Sequence, residues 1–303
     1  MENKKLSIIT INFNNAEGLR KTLTSVASQT YRDIEHIIID GGSTDGSIDV
    51  IKEYEKSQIS NLKSKISISW ISERDSGIYN AMNHGLEVAL GRRAVNEDHT
   101  SNITQNTSLE SPCDYIQILN SGDVLAAPDV IERIMLAIDK AEYPELMYGN
   151  MVHVDSQGKL IGKSREVEYS LRQYYSSTMN HDCCYIRRDL FEQYGLYDEN
   201  LKIVSDWKWF LQAIGLGHVK PVYVDIDVTH FDMSGISERN IELRNKERRE
   251  VLEELLSPAV LADYDAYAFP IEQYKRLKKY HLWPIVYFVE RVLFKLNKWH
   301  ILR

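Results

Sequence analysis

Residues 115–125 read YIQILNSGDVL. An apolar run ends at Leu119, and a single aspartate, Asp123, stands just past it in Asn-Ser-Gly-Asp. Asn, Ser, Gly and Asp are all turn formers, so NSGD can be a strand-ending turn. An acid at the end of a buried strand can also hold a divalent cation. The residues on either side decide between these readings.

Upstream, short β-branched runs alternate with helical periodicity. LSIITIN (6–12), IEHIIID (34–40), ISISWIS (66–72) and DYIQIL (114–119) have the look of buried strands. Between them, Leu19, Leu23 and Val26 recur at helical spacing, a short helix is expected near 47–56, and 77–90 places Ile78, Met82, Leu86 and Leu90 on one face. Downstream, 128–141 reads as a helix with Pro128 at its first position, and 145–154 is strand-like. Strands alternating with helices imply a mainly parallel sheet, whose ligands sit beyond the carboxyl ends of the strands. Four polar clusters fall there: Asn12 and Asn14, Asp40, Arg74 with Asp75, and Asn120 to Asp123. Residues 92–112 are polar and aperiodic, too long for an ordinary connection, and read as a mobile surface insertion.

The chain has 303 residues and a formal charge of −8, so no global basic field attracts nucleic acid. Three cysteines, two of them adjacent and none in a C-x-x-C spacing, argue against a disulfide framework or a structural zinc, and fit a reducing cytosol. The N-terminus does not read as a signal peptide, and no apolar run is long enough to span a bilayer. From about residue 236 the chain turns helical. Over 272–303, eight bases face two acids, a local +6 interleaved with Trp283, Tyr287, Phe288, Phe294 and Trp299. Such a tail suits either a membrane surface or a helical pair packed on the main domain.

No G-x-G-x-x-G or Walker sequence follows the first strand, which removes the usual dinucleotide and P-loop readings. Five strings occur in order instead: SIITINFN, IIIDGGSTDGS, SERDSGIYNAMNHG, YIQILNSGD and SDWKWFL. Together they resemble the family-two inverting glycosyltransferases of bacterial polysaccharide synthesis, over roughly residues 5–235. The resemblance implies the GT-A nucleotide-diphospho-sugar transferase fold, an α/β Rossmann-like sheet flanked by helices, for residues 1–235, with a helical extension over 236–303. It also implies roles. Thr10 and Asn12 would flank the nucleobase, Asp40 would contact a uridine or its equivalent, and Asp75 would bind near the base. Asp123 would hold Mn2+ or Mg2+, with Asn120 and Ser121 ordering ribose or metal-bound water. Asp206 would be the catalytic base, its alternative being a helix cap. His181 would stand on the acceptor side or be a core histidine. His230 would belong to a loop closing over the donor, with metal ligation possible and Ser234 to Ser237 giving flexibility.

Three departures stand out. Gly41 replaces a second acid, Asn120 and Gly122 replace acids of the metal string, and Met82 stands where relatives carry an arginine, which leaves Arg74 as a substitute. The implied activity is transfer of a sugar from a nucleoside diphosphate donor, expected to be a UDP-sugar, to a glycan or lipid-linked saccharide at the inner membrane face. A non-catalytic sugar-nucleotide or glycan-binding scaffold of the same fold is the rival. A nucleotidyltransferase is disfavoured by the single glycine in NNAEGLRK.

Overall fold

The protein is described here by a computed structural model that covers residues 4–60, 66–95, 113–154, 159–232 and 240–298. Most of the expected insertion and the Ser234–Ser237 segment lie outside the described residues.

Strands β1 (Leu6–Asn12), β2 (Ile34–Asp40), β3 (Ser67–Ser72) and β4 (Tyr115–Ile118) are the four expected from their apolar runs. They lie in the order β3-β2-β1-β4, all parallel. Every residue of β1 is buried, which is why this strand shows no polar alternation. Helices α1 (Ala16–Ala27), α2 (Ser47–Ser60) and α3 (Ile78–Ala89) connect them. α3 packs against β1 so closely that a Cβ on Gly85 would meet Ile9 Cγ2 at 2.3 Å. Met82 and Leu86 of α3 are fully buried as expected, whereas Ile78 is 36% exposed because it sits at the helix start.

Beyond β4 the sheet becomes mixed. The short β5 (Val124–Leu125) is followed by α4 (Val130–Lys140), β6 (Leu146–Val154) and β7 (Leu160–Lys163). Asp129 holds the N-cap position of α4, so Pro128 precedes the helix rather than opening it. Then come α5 (Leu171–Ser176), a 3-10 turn (His181–Cys183), β8 (Cys184–Arg187), α6 (Asp189–Tyr194) and α7 (Ser205–Phe210), which runs on into a π-helical turn. The last strand, β9 (Val222–Asp232), pairs parallel with β6 and antiparallel with β5. β8 runs antiparallel between β4 and β6.

Three helices close the chain: α8 (Ile241–Leu255), α9 (Pro258–Lys279) and α10 (Trp283–Lys298). Two compact units divide at Arg248 and Arg249, inside α8. The reason is local. Glu247 is buried and accepts hydrogen bonds from the backbone N–H groups of Lys202 (2.7 Å) and Ile203 (2.9 Å). Arg248 lies over the Trp207 ring and donates to the Ser176 carbonyl, so the first half of α8 belongs to the first unit.

Candidate active site

Parallel pairing brings the carboxyl ends of four strands to one edge. The register sets Asn12 beside Asp40 and Asp40 beside Ser72. After β4, the chain continues along β1, with Leu119 N–H bonded to Ile9 O and Ser121 N–H to Ile11 O. β8 is antiparallel to β4, so the residues that lead into β8 arrive where β4 ends. This places His181 and Asp182 against Asn120, though they lie 61 and 62 residues away in sequence.

Asp40 is fully buried and accepts from Asn12 Nδ2 (2.8 Å), Ser43 N–H (2.9 Å), Ser43 Oγ and Ser72 Oγ (2.7 Å). Four donors fill the acceptor capacity of a carboxylate. Asp40 therefore holds the GGS turn and the β3 end, and Asn12 lies beside it with 4% exposure. Thr10 does not reach the crevice. It is fully buried, and its Oγ1 pairs with His36 Nε2 (3.0 Å), whose other nitrogen meets Tyr54 Oη. Its place one turn of the pleat before the strand end directs it into the core beside Ile8 rather than into the opening.

Gly41, the first departure from the family pattern, has a structural consequence. A Cβ there would lie 2.4 Å from Asp75 Oδ2. The glycine lets the β3-end acid close over the β2 end. Burial, with the Gly77 N–H opposing it and Asp40 adding to it, raises the Asp75 pKa above the ordinary carboxylate value. Arg74 is exposed beside it. Phe13, which the sequence reading passed over, is 64% exposed at this edge and borders Gly41. An apolar residue inside the polar string NFNN was the available signal.

NSGD is both a turn and a holder of an acid. Asp123 N–H closes the turn on Asn120 O, and Gly122 adopts φ +109°, a conformation that suits glycine. Thr22 of α1 braces the turn by donating to Asp123 O (2.7 Å) and accepting from Gly122 N–H (2.9 Å). Asn15 Nδ2 donates to Ser121 O (3.0 Å). The Asp123 side chain is 6% exposed and near enough to influence His181 electrostatically. His230 lies in β9, not in a loop, and its backbone stands opposite Val124, directly after Asp123. Among the described residues no three His, Cys, Asp or Glu side chains gather as a metal cage. The donor set here is oxygen-rich: a buried carboxylate at Asp123 and the buried Asn120 Oδ1, which has no hydrogen-bond partner. That set fits a hard cation that takes one or two protein oxygens and completes its shell with phosphate and water.

Asp206 lies in the first turn of α7, where Val204 takes the cap position. Its Oδ1 accepts from Tyr79 Oη (2.8 Å) and its Oδ2 pairs with His181 Nδ1 (3.2 Å). The His181 Nε2 faces Asp182 Oδ1 at 3.3 Å and Asn120 Nδ2 at 3.0 Å. Burial disfavours the charged imidazole. Asp182, the bond to Asp206 and the more distant Asp123 outweigh it, and the His181 pKa is raised to about 9. Burial likewise pushes Asp206 up, but His181 and Tyr79 reverse this and hold it below the usual carboxylate range. Asp206 is thus an ionised carboxylate whose side chain keeps 16% of its surface open.

Besides Phe13, two residues of α3 were missed from the sequence. Tyr79 and Asn83 share one face of α3, and both reach the second half of the fold. Asn83 bonds to Tyr197 N–H and O and to Glu199 Oε1, fixing the segment that leads to α7. Their signal was the i, i+4 spacing of two polar-tipped residues inside GIYNAMN. Met82, between them, is core.

The site is thus a mixed α/β sheet edge with polar residues at four strand ends and the carboxylate–histidine pair Asp206–His181 beside them. The family description "Glycosyl transferase family 2" matches residues 7–195, and the chain belongs to that family. It is 30% identical over 238 residues to an uncharacterized glycosyltransferase of Mycobacterium tuberculosis, covering 76% of each chain. It is 25% identical over 229 residues to a PGL/p-HBAD biosynthesis glycosyltransferase of the same species, covering 76% of this chain and 77% of that one. Among solved structures, Staphylococcus aureus TarS 1-349 in complex with UDP aligns with a TM-score of 0.58 at 17% identity, over 88% of this chain and 72% of that one. The chain spans 41% of the longer TarS structure. These likenesses establish the GT-A glycosyltransferase fold.

Proposed function

We propose that this glycosyltransferase is inverting and metal-dependent, and moves a hexosyl unit from a UDP-sugar to a hydroxyl of a glycan or lipid-linked saccharide in surface polysaccharide or glycolipid synthesis. The observation that carries the reading is the chain Asp206–His181–Asp182–Asn120, in which Asp182 Oδ1 accepts from both His181 Nε2 and Asn120 Nδ2 and ties the general base to the turn that bears Asp123. An ionised, partly open carboxylate can take the proton of an acceptor hydroxyl as that oxygen attacks the anomeric carbon. Attack from the face opposite the diphosphate breaks the sugar–phosphate bond in one displacement and inverts the carbon. His181 and Tyr79 keep the base charged and oriented between turnovers.

On the donor side, the Asp40 network shapes the strand-end floor, Asn12 and Asp75 line it, and Phe13 offers an aromatic face for a base. Asp123 would hold Mn2+ or Mg2+, with Asn120 and Ser121 beside it; His230 pairs with Val124 across the β5–β9 register and would have to reach the ion past that strand. Bound there, the ion would neutralise charge on the departing diphosphate. Arg74 stands where it could add a second positive contact in place of the arginine that Met82 replaces. Support for the donor class comes from relatives of the fold: TarS was solved with UDP-GlcNAc, and a Pyrobaculum calidifontis mannosyltransferase with GDP-Man and Mn2+. The mycobacterial relative named for PGL/p-HBAD biosynthesis supports a glycolipid or glycan acceptor.

The test is turnover of a panel of UDP-, GDP- and dTDP-sugars, with the product anomer read by NMR. Asp206→Asn should lower the rate by about 10²–10⁴-fold, the share a general base supplies, while donor binding persists. Retention of anomeric configuration, or an Asp206→Asn variant as active as the parent, would refute the assignment.

A further inference from the structure

The two last helices present a surface that the transfer reaction does not use. In α10, Ile285, Val286, Phe288, Val289, Val292 and Leu293 are between 38% and 69% exposed. At about 100° per residue, these six fall in one arc of about 160° on the helix. Arg291 and Lys295 flank the Phe288 edge of that arc, about 60° and 20° beyond it, while Tyr287 (50% exposed) and Phe294 (70%) stand on the far side of the helix. The end of α9 adds Lys275, Arg276, Lys278 and Lys279, and the connection carries Tyr280 (64% exposed) and Leu282 (43%). The hairpin is ordered by its own contacts. Tyr274 meets Trp283 edge-on at 4.5 Å, and Lys278 and Arg291 sit over Tyr274 and Tyr287.

We propose that the α9–α10 hairpin is a docking surface for an anionic lipid bilayer, with the α10 arc immersed at the boundary between headgroups and acyl chains and the lysines on lipid phosphates. This inference stands apart from the transfer reaction and does not depend on it. Three observations select lipid. The arc is far broader than the narrow seam two paired helices need, and its residues face outward. The charge is complementary: +6 over residues 272–303 on a chain of net −8. A second copy would instead bring like charge against like charge. The helix also suits lying on a bilayer, not crossing it. Its 16 residues span about 24 Å, against a hydrocarbon core of about 30 Å. No helix of the described residues is long and apolar enough to cross.

The experiment is co-sedimentation of the full chain with vesicles of phosphatidylcholine alone and of phosphatidylcholine with phosphatidylglycerol, at low and high salt. The expected result is binding to the anionic vesicles that weakens with salt. Each basic residue near such a surface contributes about fivefold. The variant Lys275→Glu/Lys278→Glu/Lys279→Glu should therefore lose at least about a hundredfold. Phe288→Asp/Leu293→Asp should abolish binding with an unchanged melting temperature, because both side chains are exposed. No difference between the two vesicle types, or no binding to either, overturns the proposal. So does a parent dimer, seen by sedimentation equilibrium, that Phe288→Asp/Leu293→Asp converts to monomer, for then a second copy covers the face.

Discussion

At His181, burial and charge oppose each other, and charge wins. The imidazole pairs with Asp206 on one side and faces Asp182 on the other, and its pKa is raised from 6.5 to about 9. The folded protein therefore keeps a proton that the unfolded chain releases above about pH 6.5. Its contribution is complete below that pH and is lost as pH rises through about 9. The shift corresponds to about 3 kcal/mol. Thermal melts of the parent and His181→Gln, in chelator to remove metal effects, should show a stability gap that is full at pH 6 and closes as pH rises toward and past 9. A gap independent of pH would mean that His181 is neutral in the fold. Sequence made part of this pair legible. Asp206 stood out in SDWKWF, and the Asn-Ser-Gly-Asp acid stood out at a strand end. His181 was singled out as well, but Tyr79 was not, because it is 127 residues from Asp206, and nothing local to a helix of mostly apolar residues announces that a tyrosine hydroxyl will cross the fold. Thr10 misled for the opposite reason. A polar residue near a strand tip looks available, yet His36 and Tyr54 had already made a buried polar pocket for it.

Among the elements, α3 does the most to join the two halves of the sheet to one site. It packs on β1 through Gly85 and holds Asp206 and the Tyr197–Glu199 segment through Tyr79, Asn80 and Asn83. A methyl at position 85 would meet Ile9 Cγ2 at 2.3 Å, and that side chain is fully buried and β-branched, with little room to yield. Gly85→Ala should therefore destabilise by about 1–3 kcal/mol by overpacking, although alanine is the better helix former. Denaturant melts decide the sign. A stabilised variant would show that α3 can lift off β1 without loss. Strands β1 to β4 and β6 and the helices between them were readable because apolar runs and 3.6-residue spacing are local properties. β5, with two residues, and β8, with four, were not, because such segments become strands only when β9, β4 and β6 pair with them.

For the molecule as a whole, the parallel half of the sheet brings four strand ends to one edge and the mixed half returns His181 and Asp182 to it. That return is a property of topology: an antiparallel β8 delivers its leading residues to the end of β4, and β9 passes beside β5. The family was legible from five short strings in order, whereas the split inside α8 was not, since it depends on Glu247 capping two distant backbone N–H groups. The central claim is that this edge binds a nucleoside diphosphate through a metal on Asp123. The measurement is calorimetry of UDP, GDP and dTDP with and without Mn2+, on the parent and on Asp123→Asn, which keeps the side chain's shape. The account predicts that one nucleotide binds, that it needs the metal, and that the variant loses it. Equal binding with and without metal, or equal binding by parent and Asp123→Asn, would make Asp123 a turn residue and contradict the claim.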